Sequence, residues 1–240
     1  IPRPDLSVKL GTPNACNNCH QDKDAEWAAG QVKTWYGHEP SGFQAYAQAL
    51  YNARQEKPGT GGTLAELIRN TETPTIARAT ALAEIGPYLS VATVDVLTLG
   101  LSDDDAMVRE AAVSALESTP AEIRVRLAFP MLEDPVRAVR IEAARVLAAM
   151  PAGELAKDRK ALLEKAQHEY VTAQQAMAER PEAQTNLGNL YAALGEEEKA
   201  AAAYKTAIDI NPDYVPGYVN LADLYRAQGN EAEAEKVLRR

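Results

Sequence analysis

The sequence predicts an all-α chain built as a right-handed α-solenoid of helix-turn-helix repeats, preceded by a short cysteine-containing segment. Three observations predict this. Ala, Leu and Glu abound, only 6% of residues are aromatic, and the alternating Val/Ile/Thr runs of half-buried strands are scarce. From Ala166 onward a period of 34 residues aligns Ala166, Ala200 and Ala234, then Tyr170, Tyr204 and Leu238, then Leu187 with Leu221, Tyr191 with Tyr225 and Gly195 with Gly229. Between Thr63 and Pro151 a second period, of 31, aligns Arg78, Arg109 and Arg140, then Ala81, Ala112 and Ala143, then Ile85, Leu116 and Leu147. A single unit of this kind cannot bury its own apolar face, so neighbours must stack, and the two arrays are expected to form one superhelix.

Composition narrows the function classes. A net charge of −9 over 240 residues repels phosphate and argues against nucleic acid as a partner. No apolar stretch approaches the roughly 20 residues needed to span a bilayer. The chain opens on Ile1 rather than Met and stops in mid-helix, and it reads as an excised piece. Ser-His-Asp order, a glycine-rich phosphate loop and a His-rich metal cluster are all missing from the sequence. Asp103-Asp104-Asp105 stands at an expected helix start, where the helix dipole favours negative charge, so catalysis has little support.

Residues 1–40 hold both cysteines, in the run Thr12-Pro13-Asn14-Ala15-Cys16-Asn17-Asn18-Cys19-His20. Cys-x-x-Cys-His is the spacing of a c-type haem attachment site. Two thiols three positions apart can each add across one haem vinyl group, and the adjacent His20 imidazole then reaches the iron as an axial ligand. Zinc held by Cys16, Cys19 and His20 or His38 is disfavoured because four well-spaced ligands are hard to find. A Cys16–Cys19 disulfide is the alternative in an oxidising compartment without haem maturation. His38 is the candidate distal ligand. If Asp22–Tyr36 is one helix, about 22 Å long, His38 reaches the iron only by folding back. Trp27 and Trp35 either flank the macrocycle or form an apolar stripe. His168, Met107 and Met150 read as structural residues, the methionines as core. Because haem c is attached outside the cytoplasm, the motif implies a periplasmic or otherwise exported protein.

Residues 41–151 carry the 31-residue period. Lys57–Gly62 reads as a plain linker. Helix pairs are expected at 63–70 with 75–86, 91–100 with 105–117, and 121–133 with 135–149. Asp105 and Asp134-Pro135 suit the exposed amides of a helix start. The pieces Asp105–Arg109 and Asp134–Arg140, each leading into an Ala-rich helix, resemble short bacterial HEAT-type repeats. In such arrays the repeated Arg78, Arg109 and Arg140 are expected to make ion pairs or hydrogen bonds within the solenoid.

Residues 152–240 carry the 34-residue period. Leu187, Leu190, Tyr191 and Leu194 form an apolar stripe, Gly195 permits a tight turn, Ala200 is small at a close helix crossing, and Asn211-Pro212 ends a helix. The segment Asn186–Tyr191 followed by Gly195, Ala200, Tyr204, Ala207 and Pro212 resembles the tetratricopeptide (TPR) repeat. Lys160–Arg180 is expected to be the second helix of a degenerate unit ahead of one full and one truncated unit. A partner-binding face is expected from Glu182, Thr185 and Asn189, then Val219, Asp223 and Arg226.

Ile1-Pro2-Arg3-Pro4-Asp5-Leu6-Ser7 before the cysteine motif, Gln21-Asp22-Lys23 and Trp27-Ala28 after it, then Trp35-Tyr36-Gly37, in this order and ahead of both arrays, resemble the C-terminal portion of bacterial multihaem c-type cytochromes fused to helical repeats. The resemblance implies that Cys16, Cys19 and His20 hold the last haem of a series and that an axial histidine precedes the Ile-Pro-Arg-Pro-Asp segment. It also implies that the repeats dock a redox partner protein or the upstream haem domain. The alternative is a repeat scaffold whose cysteine motif is empty or oxidised.

Overall fold

The computed structural model describes residues 2–42, 44–150 and 155–239, and among these it contains fifteen α-helices, three short 3₁₀ turns and no strand. The fold is an α-solenoid of helical repeats. Two compact units divide it, Ile1–Ser118 and Thr119–Arg240. Their border falls inside the stretch with the 31-residue period, and the boundary expected at 151–152 lies outside the described residues.

In the first unit, α1 (Pro4–Leu10) packs against α3 (Ala25–Tyr36) and α4 (Ala47–Arg54), with the single turn α2 (Cys16–Cys19) lying against α3. Pro4 supplies a helical φ at the first position of α1, where its missing N–H costs nothing. Arg3 forks onto Asp5 in the same turn, with Nε and Nη2 donating at 2.9 and 2.8 Å. The array then runs through α5 (Thr60–Arg69), α6 (Thr75–Glu84), α7 (Asp95–Leu101) and α8 (Ala106–Ala115). α4 packs on α5 and α6, so the cysteine-bearing segment is joined to the repeats by a helix interface.

The expected linker at 57–62 is only half a linker: Thr60-Gly61-Gly62 form the first turn of α5. Gly61 sits where an added Cβ would lie 2.9 Å from Cβ of Tyr88, whose hydroxyl donates to the Ala53 carbonyl at 2.7 Å. The glycines therefore serve a close approach between segments as well as a turn. Met107, expected in the core, is 48% exposed, because it occupies the first turn of α8 ahead of the buried stripe that starts at Val108.

The second unit contains α9 (Ala121–Ala128), α10 (Arg137–Val146), α11 (Lys157–Gln175), α12 (Pro181–Ala193), α13 (Glu197–Ile210), α14 (Val215–Ala227) and α15 (Glu231–Leu238). The helix expected over 121–133 gives way to a 3₁₀ turn at Phe129–Glu133, where Pro130 has no N–H to continue the α ladder. Gly195 and Gly229 end α12 and α14 at φ 72° and 75°, so the 34-residue period repeats a left-handed turn that non-glycine residues disfavour. Leu194 leaves the expected stripe and is 38% exposed, because α12 ends at Ala193 and Leu194 is its cap.

The aligned positions carry the packing. Ala81, Ala112, Ile85 and Leu116 in the first unit and Ala143, Ala200, Ala207 and Ala234 in the second are completely buried. Small side chains at these crossings let backbones approach closely. The repeated arginines hold the loops between helices. In the first unit the Arg78 guanidinium pairs with both carboxylate oxygens of Asp103, and Arg109 Nη1 donates to the carbonyls of Asp103 and Asp104, both at 2.9 Å. In the second, Arg140 Nη1 donates to the carbonyls of Asp134 and Pro135 at 2.8 and 3.2 Å. Its Nε and Nη2 reach Glu169 of α11 at 3.0 and 3.2 Å. One side chain thus fastens its own entry loop and a neighbouring element.

The paired side chains of Arg78 and Asp103 are only 10% and 14% exposed, so removing the guanidinium would strand the Asp103 carboxylate. Arg78→Met is expected to cost on the order of 3 kcal/mol in urea unfolding. Burial raises the Asp103 carboxyl pKa, but hydrogen bonds from Arg78 and the Asp105 N–H, with the charges of Arg78 and Arg109, outweigh it and hold it below the usual value. Asp5 is lowered too, mainly by its hydrogen bond from Arg3. Depressed carboxyls stabilise fully above the unfolded value of about 4 and lose that contribution as pH falls through their folded values. Acid melting curves should therefore fall steeply below about pH 4 in the wild-type chain and less steeply in Arg78→Met.

Candidate functional site

The cysteine turn is built by two asparagines. Asn14 Oδ1 accepts the N–H groups of Cys16 and Asn17 at 3.1 and 3.4 Å, satisfying amides that a helix start leaves open. Asn14 Nδ2 donates to Asn17 Oδ1 at 2.6 Å. Asn17 Nδ2 in turn donates to the Lys23 carbonyl at 2.7 Å and to those of His20 and Asp24 at 3.3 Å. The His20 N–H closes the turn on the Cys16 carbonyl at 3.0 Å. Asp24 then caps α3, its Oδ1 accepting from the Trp27 N–H at 2.8 Å.

This turn presents the predicted residues together. Cys16 and Cys19 are free thiols spaced by one helical turn, Cys16 half-buried and Cys19 exposed. The His20 ring is exposed and packs beside Trp27, with centroids 4.8 Å apart and planes tilted by 52°. No described residue hydrogen-bonds the His20 ring nitrogens. Among the described residues no group of three His, Cys, Asp or Glu side chains is placed to hold one metal ion. Tetrahedral zinc needs such convergence, whereas haem c does not, because its thiols bond to carbons at the ring edge and only the imidazole meets the iron. Two free thiols and an exposed imidazole, packed beside Trp27 with its nitrogens unbonded by any described residue, fit the haem group's requirements.

His38 does not join them. It follows Gly37 at the far end of α3, a helix of 12 residues and so about 18 Å long, and its Nδ1 lies 2.8 Å from the Glu39 carbonyl. The structure does not bring it beside His20. Trp35 is 66% exposed and does not share the position of Trp27. His168 is exposed on α11.

Cys16 lies on the wall of a cleft of about 570 Å³ formed by α1, residues 12–16 and α4. Leu6, Leu10, Tyr46, Ala47, Leu50 and Tyr51 also line it. These residues carry no joint sequence signal, since α1 and α4 lie far apart in the sequence. The asparagines did carry one: Asn two residues before a helical turn is a capping residue. A larger groove, about 1150 Å³, runs between α9, α10 and α11 and includes Met150 but none of the predicted site residues.

On the repeat face the six predicted positions divide. Glu182, Val219, Asp223 and Arg226 are exposed, with Asp223 and Arg226 paired at 2.8 Å. Thr185 is buried, its Oγ1 enclosed without a hydrogen-bond partner, because α12 packs against α11, α13 and α14 and has two covered faces. Asn189 is exposed, yet its Oδ1 accepts from Tyr204 Oη at 2.8 Å and Asn220 Nδ2 at 2.9 Å, tying α13 and α14 to α12. Thr185 is thus a packing position of the array rather than an exposed contact, while Asn189 braces the array and stays exposed.

A family model described as TPR repeat matches residues 188–229, from the middle of α12 to the turn after α14. No curated protein and no solved structure matches the chain. Within the matched segment Gly188 makes room for a packed ring: a Cβ there would fall 2.3 Å from the Tyr204 ring. One period later, Ala222 is completely buried.

Gly188→Leu should therefore destabilise by about 1–3 kcal/mol, and Tyr204→Phe by about 1 kcal/mol, in denaturant unfolding. Burial pushes the hydroxyls of Tyr170 and Tyr204 up to about 12. Spectrophotometric titration should show two of the ten tyrosines ionising late, one fewer in Tyr204→Phe.

Proposed function

We propose that the chain is a protein-interaction scaffold of helical repeats that carries a haem c attachment turn at residues 16–20, and so serves as an electron-transfer module docked on a partner. The scaffold part rests on the TPR repeat at 188–229, a repeat type that generally mediates protein–protein contact through extended surfaces. Glu182, Asn189, Val219, Asp223 and Arg226 are exposed side chains it offers. No helix among the described residues is long and apolar enough to cross a membrane.

The haem part is supported by the presentation of Cys16, Cys19 and His20 on one capped turn. Haem c, when bound, supplies one-electron chemistry at iron. Cys16 and Cys19 would hold the group through thioethers, each S–H adding across one vinyl double bond, sulfur to one carbon and hydrogen to the other, with no net oxidant. His20 would hold the iron through an imidazole nitrogen, and Asn14 and Asn17 hold the three residues in register. Attachment of this kind takes place outside the cytoplasm, which makes the protein periplasmic or otherwise exported. The partner is a redox protein or a haem domain of the same assembly. Without haem, the same repeats stand as a scaffold with an open dithiol or a Cys16–Cys19 disulfide.

The test is intact mass and a reduced-minus-oxidised absorption spectrum of the chain made in a host with c-type haem maturation, beside Cys16→Ser/Cys19→Ser. One haem mass with sharp reduced bands, absent from the double variant, is expected. An apo mass in the wild-type chain would remove the electron-transfer role and leave the scaffold.

A further inference from the structure

The contact between His20 and Trp27 is held from both sides. The ring centroids lie 4.8 Å apart with the planes tilted by 52°, within the range at which aromatic rings hold one another. Trp27 is half-buried in the first turn of α3, and its N–H donates to Oδ1 of the cap residue Asp24 at 2.8 Å. The next residue, Ala28, is completely enclosed in the packing of that helix, which fixes the turn from which the indole projects. The cysteine turn is tied to the same place. The Lys23 N–H donates to the His20 carbonyl at 3.1 Å, and Asn17 Nδ2 donates to the carbonyls of Lys23 and Asp24 at 2.7 and 3.3 Å. The cysteine turn and the start of α3 are thus one hydrogen-bonded unit, and the two rings meet inside it.

An imidazole that ligates a metal is usually oriented through its other nitrogen, which donates to a carbonyl, a carboxylate or water and so fixes the plane of the ring. No described residue accepts a hydrogen bond from the His20 ring, and its packing neighbour is an indole instead. We propose that Trp27 is the positioning residue of His20: its ring, aimed by the Asp24 cap and the Asn17 clamp, sets the plane of the imidazole that would hold the iron. This rests on the haem reading above. Trp35, near the far end of α3 and 66% exposed, has no part in it.

The full chain is produced with haem maturation as wild type, Trp27→Phe, Trp27→Leu, Asp24→Ala and Trp35→Leu. Covalent haem is read by intact mass and helicity by far-ultraviolet circular dichroism. The imidazole plane is read from the haem methyl resonances in proton nuclear magnetic resonance of the oxidised chain, because that plane decides which methyls carry most of the unpaired spin. Cyanide is added as the second ligand, since a linear ion brings no plane of its own. Trp27→Leu should change the methyl pattern at unchanged helicity and haem mass, an effect that a merely structural role would not produce. Trp27→Phe, which keeps a ring, should retain most of the wild-type pattern, and Trp35→Leu should match wild type. Asp24→Ala loosens the first turn of α3 with both rings intact. It should move the pattern towards that of Trp27→Leu, and it carries the comparison if Trp27→Leu fails to fold. A wild-type methyl pattern in the folded variant would overturn the positioning role and leave the haem reading standing. A wild-type chain without haem would overturn both.

Discussion

The structure depends on one constraint: no helix pair in it can bury its own apolar face. Each must be covered by the next, and the sequence meets this with small residues at the crossings. Ala81, Ala112 and Ala143 repeat in one array and Ala200 and Ala234 in the other, all completely buried. Close approach of backbones gains dispersion contact and excludes water, but leaves no room for adjustment. Register must then be set by directional contacts. The arginines at 78, 109 and 140 provide them, gripping loop carbonyls or carboxylates that a sliding helix would lose.

That rigidity extends to the cysteine turn. α1 and α3 pack together, α1 meets α4, and α4 lies on the first repeat helices, so Cys16 and His20 are held on a framework rather than on a free tail. The turn adds its own fastening through Asn14 and Asn17. Were the proposed cofactor attached, this preorganisation would favour it, because the thiols and the imidazole already share one helical turn and little conformational entropy would be lost.

Much of this was legible in the sequence because repeats announce themselves by register. The 34-residue period located the turns at Gly195 and Gly229, and the 31-residue period located the buried Ala81 and Ala112. Cys-x-x-Cys-His is local, so its turn was legible too. What was hidden depends on distant segments meeting. The cleft joins Leu6 to Leu50, positions with no shared period, and Thr185 is buried because α12 is covered on two sides. A single helical wheel assigns that second side to solvent. Leu194 and Met107 continue an apolar pattern past the point where a helix end turns them outward.

Under the proposed function different residues would serve recognition and electron exchange: exposed charges such as Glu182, Asp223 and Arg226 would meet a partner, while the cysteine turn would carry the redox group. The assignment of His20 as the iron ligand is open to direct measurement, because the chain has only three histidines. Nuclear magnetic resonance of the haem-loaded, oxidised chain labelled with nitrogen-15 histidine separates them, with His38→Gln and His168→Gln giving the assignments. Hyperfine shifts confined to the His20 imidazole are predicted. Haem bound with all three imidazoles unshifted, or with the shift carried by His38, would contradict the site described for this turn.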